Sequence, residues 1–170
     1  MHKLKIFLLL TIISPYCISQ SLPELEKRNG FKDIKLGMLI DSIKGFKLKK
    51  EFKEKNEYPA KLFEVAHDDY NSIGEVKIHK VELKTYKDLI YEINIVTEKD
   101  ARLMKALESL YGKSDYDMKN ETYFWKTDSL ILKFKSEGKQ KLQMLYVSYG
   151  IHNMMKADKD KKVDDIANDF

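Results

Sequence analysis

Apolar side chains along this chain recur with a period of two in most of its length and with a helical period in one stretch. Residues 31–37 alternate, Phe31, Ile34 and Leu36 against Lys32, Asp33 and Lys35, and predict a short strand ended by Gly37. Residues 38–44 place Leu39, Ile40 and Ile43 so that two helical turns would bury them, with Gly45 as the stop. Residues 47–57 are the most charged stretch and read as a solvated loop, and a strand over 61–66 follows Pro59. Residues 75–85 and 89–97 predict two long strands joined at Tyr86-Lys87-Asp88. Val76 and Ile78 share one parity and Val81 and Leu83 the other, which requires a bulge near His79-Lys80.

Leu103, Met104, Leu107, Leu110 and Tyr111 then fall on one side of a helix predicted over 98–111, with Thr97 as its cap, Asp100 as the acidic partner and Gly112 as its stop. Strands are predicted over 121–126, 130–135 and 141–149. The last is apolar on both parities, Leu142, Met144 and Tyr146 against Leu145, Val147 and Tyr149, as a central strand is. A charged helical tail, 151–170, lines up Val163, Ile166, Ala167 and Phe170. The fold class is α+β: mainly antiparallel sheet packed against one or two helices. A single domain spans 31–150 after a polar lead-in, 20–30. Its order of short helix, three strands, longer helix, three strands suggests tandem halves at about 31–97 and 98–150.

The first nineteen residues change the picture. Lys3 and Lys5 precede an apolar run over residues 6–13, Pro15 breaks it, and Cys17 and Ser19 are the small residues a signal peptidase reads before a cut at Gln20. Residues 1–19 therefore read as a signal peptide and place the protein in the periplasm or outside the cell. The run is too short to span a bilayer core of about 30 Å. Cleavage also removes the only cysteine, and with it disulfides, thiol nucleophiles and thiolate metal sites. Of 31 basic residues, 29 remain against 27 acidic ones, a net charge of +2. Both signs are interspersed and Arg28 and Arg102 are the only arginines, so nucleic acid is not an expected partner.

The 31–38 segment, FKDIKLGM, together with Leu107-Glu108-Ser109-Leu110-Tyr111-Gly112-Lys113 and Trp125, resembles small exported bacterial proteins, most of them uncharacterised. Their architecture is similar to the beta-lactamase-inhibitor-protein fold and to the small lipoprotein component of the outer-membrane assembly machine. The resemblance covers about 31–149 and implies helix-plus-antiparallel-sheet units but no catalytic residues. The chain departs from the lipoprotein pattern at Tyr16, where a lipobox has a small residue before the cysteine, so a lipid anchor is not expected.

Candidate chemistry is sparse. Glu64, His67, Asp68 and Asp69 are the weak candidates for a metal, against the simpler reading of a strand end entering a charged turn; no cofactor is implied. The acidic tail lacks the glycine and terminal glutamate of a calcium loop. No Gly-x-Ser-x-Gly elbow or phosphate loop occurs. Tyr111, Tyr123, Trp125, Tyr146 and Tyr149 are the candidate binding residues, because exposed Tyr and Trp give large contact area at low entropic cost. The competing reading, favoured for Trp125, is a set of core rings. The functional expectation is a non-enzymatic protein-interaction module of inhibitor, immunity or envelope-assembly accessory type. The alternatives are a small-ligand or glycan binder on the tyrosine-rich sheet face, and a hydrolase using His67 or His79.

Overall fold

The computed structural model describes residues 23–168, so residues 1–19, expected to be a signal peptide, and Phe170 lie outside the described residues. The chain opens with α1 (Pro23–Arg28), a hairpin of β1 (Gly30–Phe31) and β2 (Ile34–Lys35), and then β3 (Phe46–Glu54) and β4 (Tyr58–Val65). β5 (Ser72–Ile73), β6 (Val76–Tyr86), β7 (Leu89–Glu98) and α2 (Ala101–Tyr111) follow. β8 (Asp115–Asp117), β9 (Thr122–Lys126), β10 (Leu130–Ser136), β11 (Lys141–Ser148) and α3 (Tyr149–Ala167) complete it. The architecture is α+β and its main sheet is antiparallel throughout.

The order across that sheet is β3-β4-β6-β7-β11-β10-β9-β8, with β5 beside β6. Each half of the chain is thus a meander that starts at an outer edge and ends at the centre, where β7 and β11 pair. Each half supplies four strands to this order, one more than the pattern predicts. The stretch read as a loop, 47–57, is β3 and its turn. Its charges hide it because an edge strand with little of either face in the core has no apolar alternation to show, and lysines on an edge also discourage pairing with other chains.

One face of the sheet carries the main core. The register aligns Phe63, Leu83, Ile93, Tyr146, Leu132 and Trp125 in a single buried row across six strands. Leu25 from α1, Phe31, Ile34 and Leu36 from the first hairpin, and Leu103, Leu107 and Tyr111 from α2 pack on this inner face. The bulge expected near His79-Lys80 is present as a register shift between Ile78 and Lys80. β11 is central, as its two apolar parities predict, although Tyr149 belongs to α3.

Three local expectations are corrected. The lead-in contains α1, begun by Pro23 and Glu24 in the favoured first-turn positions, and its one apolar residue, Leu25, is fully buried. Residues 38–44 form only a 3-10 turn at Ile40–Ser42. The Gly37 and Ile40 N–H groups donate to Ile90 and Asp88 carbonyls (2.7 and 2.9 Å), and this strand-like pairing keeps the backbone extended. α2 starts at Ala101, because Thr97 remains in the ladder opposite Leu142 and Ile78. Asp100 caps the helix instead, accepting from the Arg102 N–H at 2.8 Å.

α3 lies on the second face. Ile151 and Met155 are buried against Ala60, Tyr86 and Tyr91. Val163 and Ile166, which line up on one side of the tail, are exposed. The charged middle makes contacts of its own: Asp158 accepts from the Tyr86 hydroxyl (2.9 Å) and from Lys87 Nζ (2.7 Å), and Lys159 pairs with Glu57 at 2.8 Å.

Candidate functional site

The five aromatic candidates do not form one surface. Trp125, Tyr146 and Tyr111 are buried, the core reading favoured for Trp125, and do not share a surface with Tyr123 and Tyr149. Trp125 sits under α2, its Nε1 donating to the Gly112 carbonyl at 2.8 Å and its ring edge-on to Tyr111 with 6.2 Å between centroids. Burial pushes the phenols of Tyr146 and Tyr111 above their ordinary range. Tyr123 follows the same face outward to where the helices no longer cover it; it is exposed and its ring lies 4.7 Å from that of Tyr116 on β8. Tyr149 is on the second face, half-buried at the start of α3, with Lys126 Nζ 5.7 Å from its centroid. Parity alone could not separate these rings, since it gives the face of a strand and not what packs over it.

The second face divides into two chemically distinct parts. Over β3, β4, β6 and β7 it is a lattice of paired charges. Lys49 lies 3.6 Å from Glu64 and 3.0 Å from Glu82; Lys80 also reaches Glu82 (3.1 Å). Asn94 donates to Glu82 at 3.3 Å and Gln143 on β11 donates to Asn94 at 2.9 Å, carrying the network across the centre. Opposite charges directly across strands stabilise a sheet by a few tenths of a kcal/mol each. These groups satisfy one another, so this part of the face is self-contained.

Beside it, the Tyr91 hydroxyl donates to Glu54 Oε2 at 2.7 Å, and Lys84 bridges Glu54 (3.3 Å) and Glu92 (3.1 Å). Burial opposes ionisation of Glu54, but the Tyr91 hydroxyl and the Lys84 ammonium outweigh it and hold the carboxyl below its usual range. Burial dominates at Glu92 and raises it. The stability that Glu54 confers is therefore complete above the ordinary carboxylate range and lost as pH falls through its lowered folded value. Tyr91→Phe removes the hydroxyl; the Glu54 carboxyl, followed by carbon NMR through a pH titration, should then titrate at higher pH than in the parent. An unchanged midpoint would show that the bond does not bias the carboxylate.

Over β9, β10 and β11 the second face changes character. The register places Phe124, Lys133 and Leu145 in one row and Lys126, Ile131 and Val147 in the next. Phe124, Ile131, Leu145 and Val147 are all half-buried and contiguous with Tyr149. Helix α3 begins against the start of β10, where the Tyr149 N–H donates to the Ser129 carbonyl at 2.9 Å, and buries Ile151 and Met155 on Ala60, Tyr86 and Tyr91. Lys126, Lys133 and Lys135 stand within and beside this apolar strip. Half-buried apolar side chains gathered on one sheet face, with these lysines among them and Asp115 beside Phe124 and Glu92 beside Val147 at the margins, have the make-up of a recognition surface, an apolar centre with a charged rim. The signal for this site was in the sequence, as the second apolar parity of β11, but a central strand buried on both faces shows the same pattern.

The remaining candidates are dispersed. Glu64 belongs to the charge lattice on β4, whereas His67 caps the 3-10 turn Asp68–Tyr70, its Nδ1 accepting from the Asp69 N–H at 3.3 Å. Among the described residues no three His, Cys, Asp or Glu side chains are placed to share a metal ion. His79 is exposed on β6, and His152 packs edge-on to Tyr91, 5.3 Å between centroids, with Nδ1 2.8 Å from the Ser148 carbonyl. Among the described residues no helix is long and apolar enough to cross a membrane. No protein-family model, curated protein or solved structure matches the chain.

Proposed function

We propose that this protein is an exported, non-enzymatic interaction module, of inhibitor, immunity or envelope-assembly accessory type, that engages a partner protein through the β9–β10–β11 face. The observation that carries this reading is the partly exposed apolar strip of Phe124, Ile131, Leu145 and Val147 on one sheet face. Lys126, Lys133 and Lys135, with Asp115 on the β8 side, set the chemistry of the partner: an apolar centre with carboxylates placed opposite those lysines, which steer encounter and fix orientation. The basic start, the apolar run over residues 6–13 and the small residues Cys17 and Ser19 support action beyond the cytoplasm. The helix-then-meander order of each half supports the likeness to the inhibitor-protein and assembly-lipoprotein folds.

The test is paired affinity capture from the envelope fraction of the producing cell. One bait is the parent, the other carries Ile131→Lys and Val147→Lys. Both positions are partly exposed, so the circular dichroism spectrum should not change. The reading expects a protein retained by the parent and depleted at least tenfold on the variant, since residues at the centre of an interface commonly contribute about 1–2 kcal/mol or more each. Identical captured sets, or none with either bait, would contradict it.

A further inference from the structure

The inner face is not sealed everywhere. Between α2 and the β1–β2 hairpin runs a groove of about 430 Å³, a size typical of small-molecule sites. Its floor is Met144 and Tyr146 of β11. One wall is the face of α2 bearing Leu103, Ala106, Leu107 and Leu110; the other is Phe31 with the Ser72-Ile73-Gly74 turn. That turn is made at Gly74, whose φ of +58° lies in the left-handed region that favours glycine. Leu110 forms part of the lip, with 44% of its surface exposed in a position where a helix facing a closed core would have none.

The charged residues of the groove are all of one sign. Arg28, Lys32 and Lys35 line the hairpin side, and no aspartate or glutamate lines it among the described residues. Arg28 is tied to Glu24 through Nε (2.7 Å). Lys32 Nζ donates to the carbonyls of Ser72 (2.9 Å) and Asp69, which pins the hairpin to the opposite turn and keeps the slot open at a fixed width. A long apolar slot with cations along one rim matches a molecule that is apolar along its length and anionic at one end.

We propose that this groove binds a single-chain anionic amphiphile, its hydrocarbon chain lying along α2 over Met144 and Tyr146 and its carboxylate or phosphate at Arg28 and Lys35. A peptide would not suit the slot as well, because its backbone N–H and C=O groups would be stranded against apolar walls. The site is separate from the β9–β10–β11 face, and neither proposal depends on the other.

Calorimetric titration of the full chain with dodecanoate, below its micellar concentration, tests the proposal. One equivalent is expected to bind, with dodecanol and dodecyltrimethylammonium at least tenfold weaker and with affinity falling as salt is added. Lysophosphatidylglycerol in a parallel arm distinguishes a free carboxylate from a lipid phosphate as the anionic head. Ala106→Trp fills the slot from an exposed helix position and should weaken binding at least tenfold. Lys35→Glu should weaken the anions and spare dodecanol. Equal binding of the cationic and anionic amphiphiles, binding unaffected by Ala106→Trp in a variant with parental circular dichroism, or no saturable binding of either anion would overturn it.

Discussion

Trp125→Ala is expected to destabilise the protein by about 3–5 kcal/mol, the cost of removing a large aromatic side chain from a packed interior. The indole is 1% exposed at the end of the buried row that crosses the sheet, and it joins two elements. Its ring packs on Tyr111, and its N–H satisfies the Gly112 carbonyl at the point where α2 stops. Truncation leaves a cavity beneath the helix and a carbonyl without its donor, and the second loss adds to the first. Urea unfolding of parent and variant measures the difference. Tyr123→Ala, on the same strand and the same face but exposed, is the control and should cost under about 1 kcal/mol. A Trp125 variant as stable as the Tyr123 variant would mean that the ring is not in the core.

Met155→Ala should cost about 2–5 kcal/mol, whereas Val163→Ala and Ile166→Ala should each stay within about 0.5 kcal/mol. Met155 is 1% exposed and, with Ile151, forms the only apolar anchorage of α3 among the described residues, on Ala60, Tyr86 and Tyr91. A helix of this composition has little stability without such packing, so losing Met155 should also loosen the turns beyond it. Amide hydrogen exchange along α3, read with the urea midpoint, separates the cases. The account expects faster exchange from Met155 onward in that variant only. Equal effects at Met155 and Ile166 would restore the docking that the apolar line of Val163 and Ile166 suggests.

Those two residues illustrate what the sequence can and cannot carry. A helical apolar line predicts a face but does not say whether the chain brings that face to the sheet; the preceding turn, aimed by the Ser148 cap and β11, decides that α3 touches down at Ile151 and Met155. The existence of β7 and of α2 was legible from their periods, but burial departs from period in both: a register shift at Lys84 and Thr85 turns Tyr91 to the second face while Ile93 and Ile95 stay in the main core, and Leu110 is exposed. β3 was not, because an edge strand has no reason to alternate. Thr97 was misread as a cap because local capping chemistry and ladder pairing compete for the same residue, and only the sheet shows that the ladder extends past it. The aromatic residues divide on the same ground: Trp125 and Tyr123 have identical parity, and coverage by α2 separates them.

The open face follows from the same logic. Two meanders meet at β7 and β11, and the helix on the second face starts against β10 but buries its apolar residues on the first-half strands. There the carboxylates already hold lysines and a tyrosine hydroxyl. The second-half strands keep their apolar side chains partly exposed with lysines among them, and this asymmetry is the basis of the functional reading.

Site-specific photocrosslinking in the producing cell tests that reading most directly, with the photoreactive side chain placed in turn at Leu145, Ile131, Lys50 and Ile166. The account predicts a discrete adduct with another protein from Leu145 and Ile131 and none from Lys50 or Ile166. Adducts from the latter pair alone, or from no position, would contradict it.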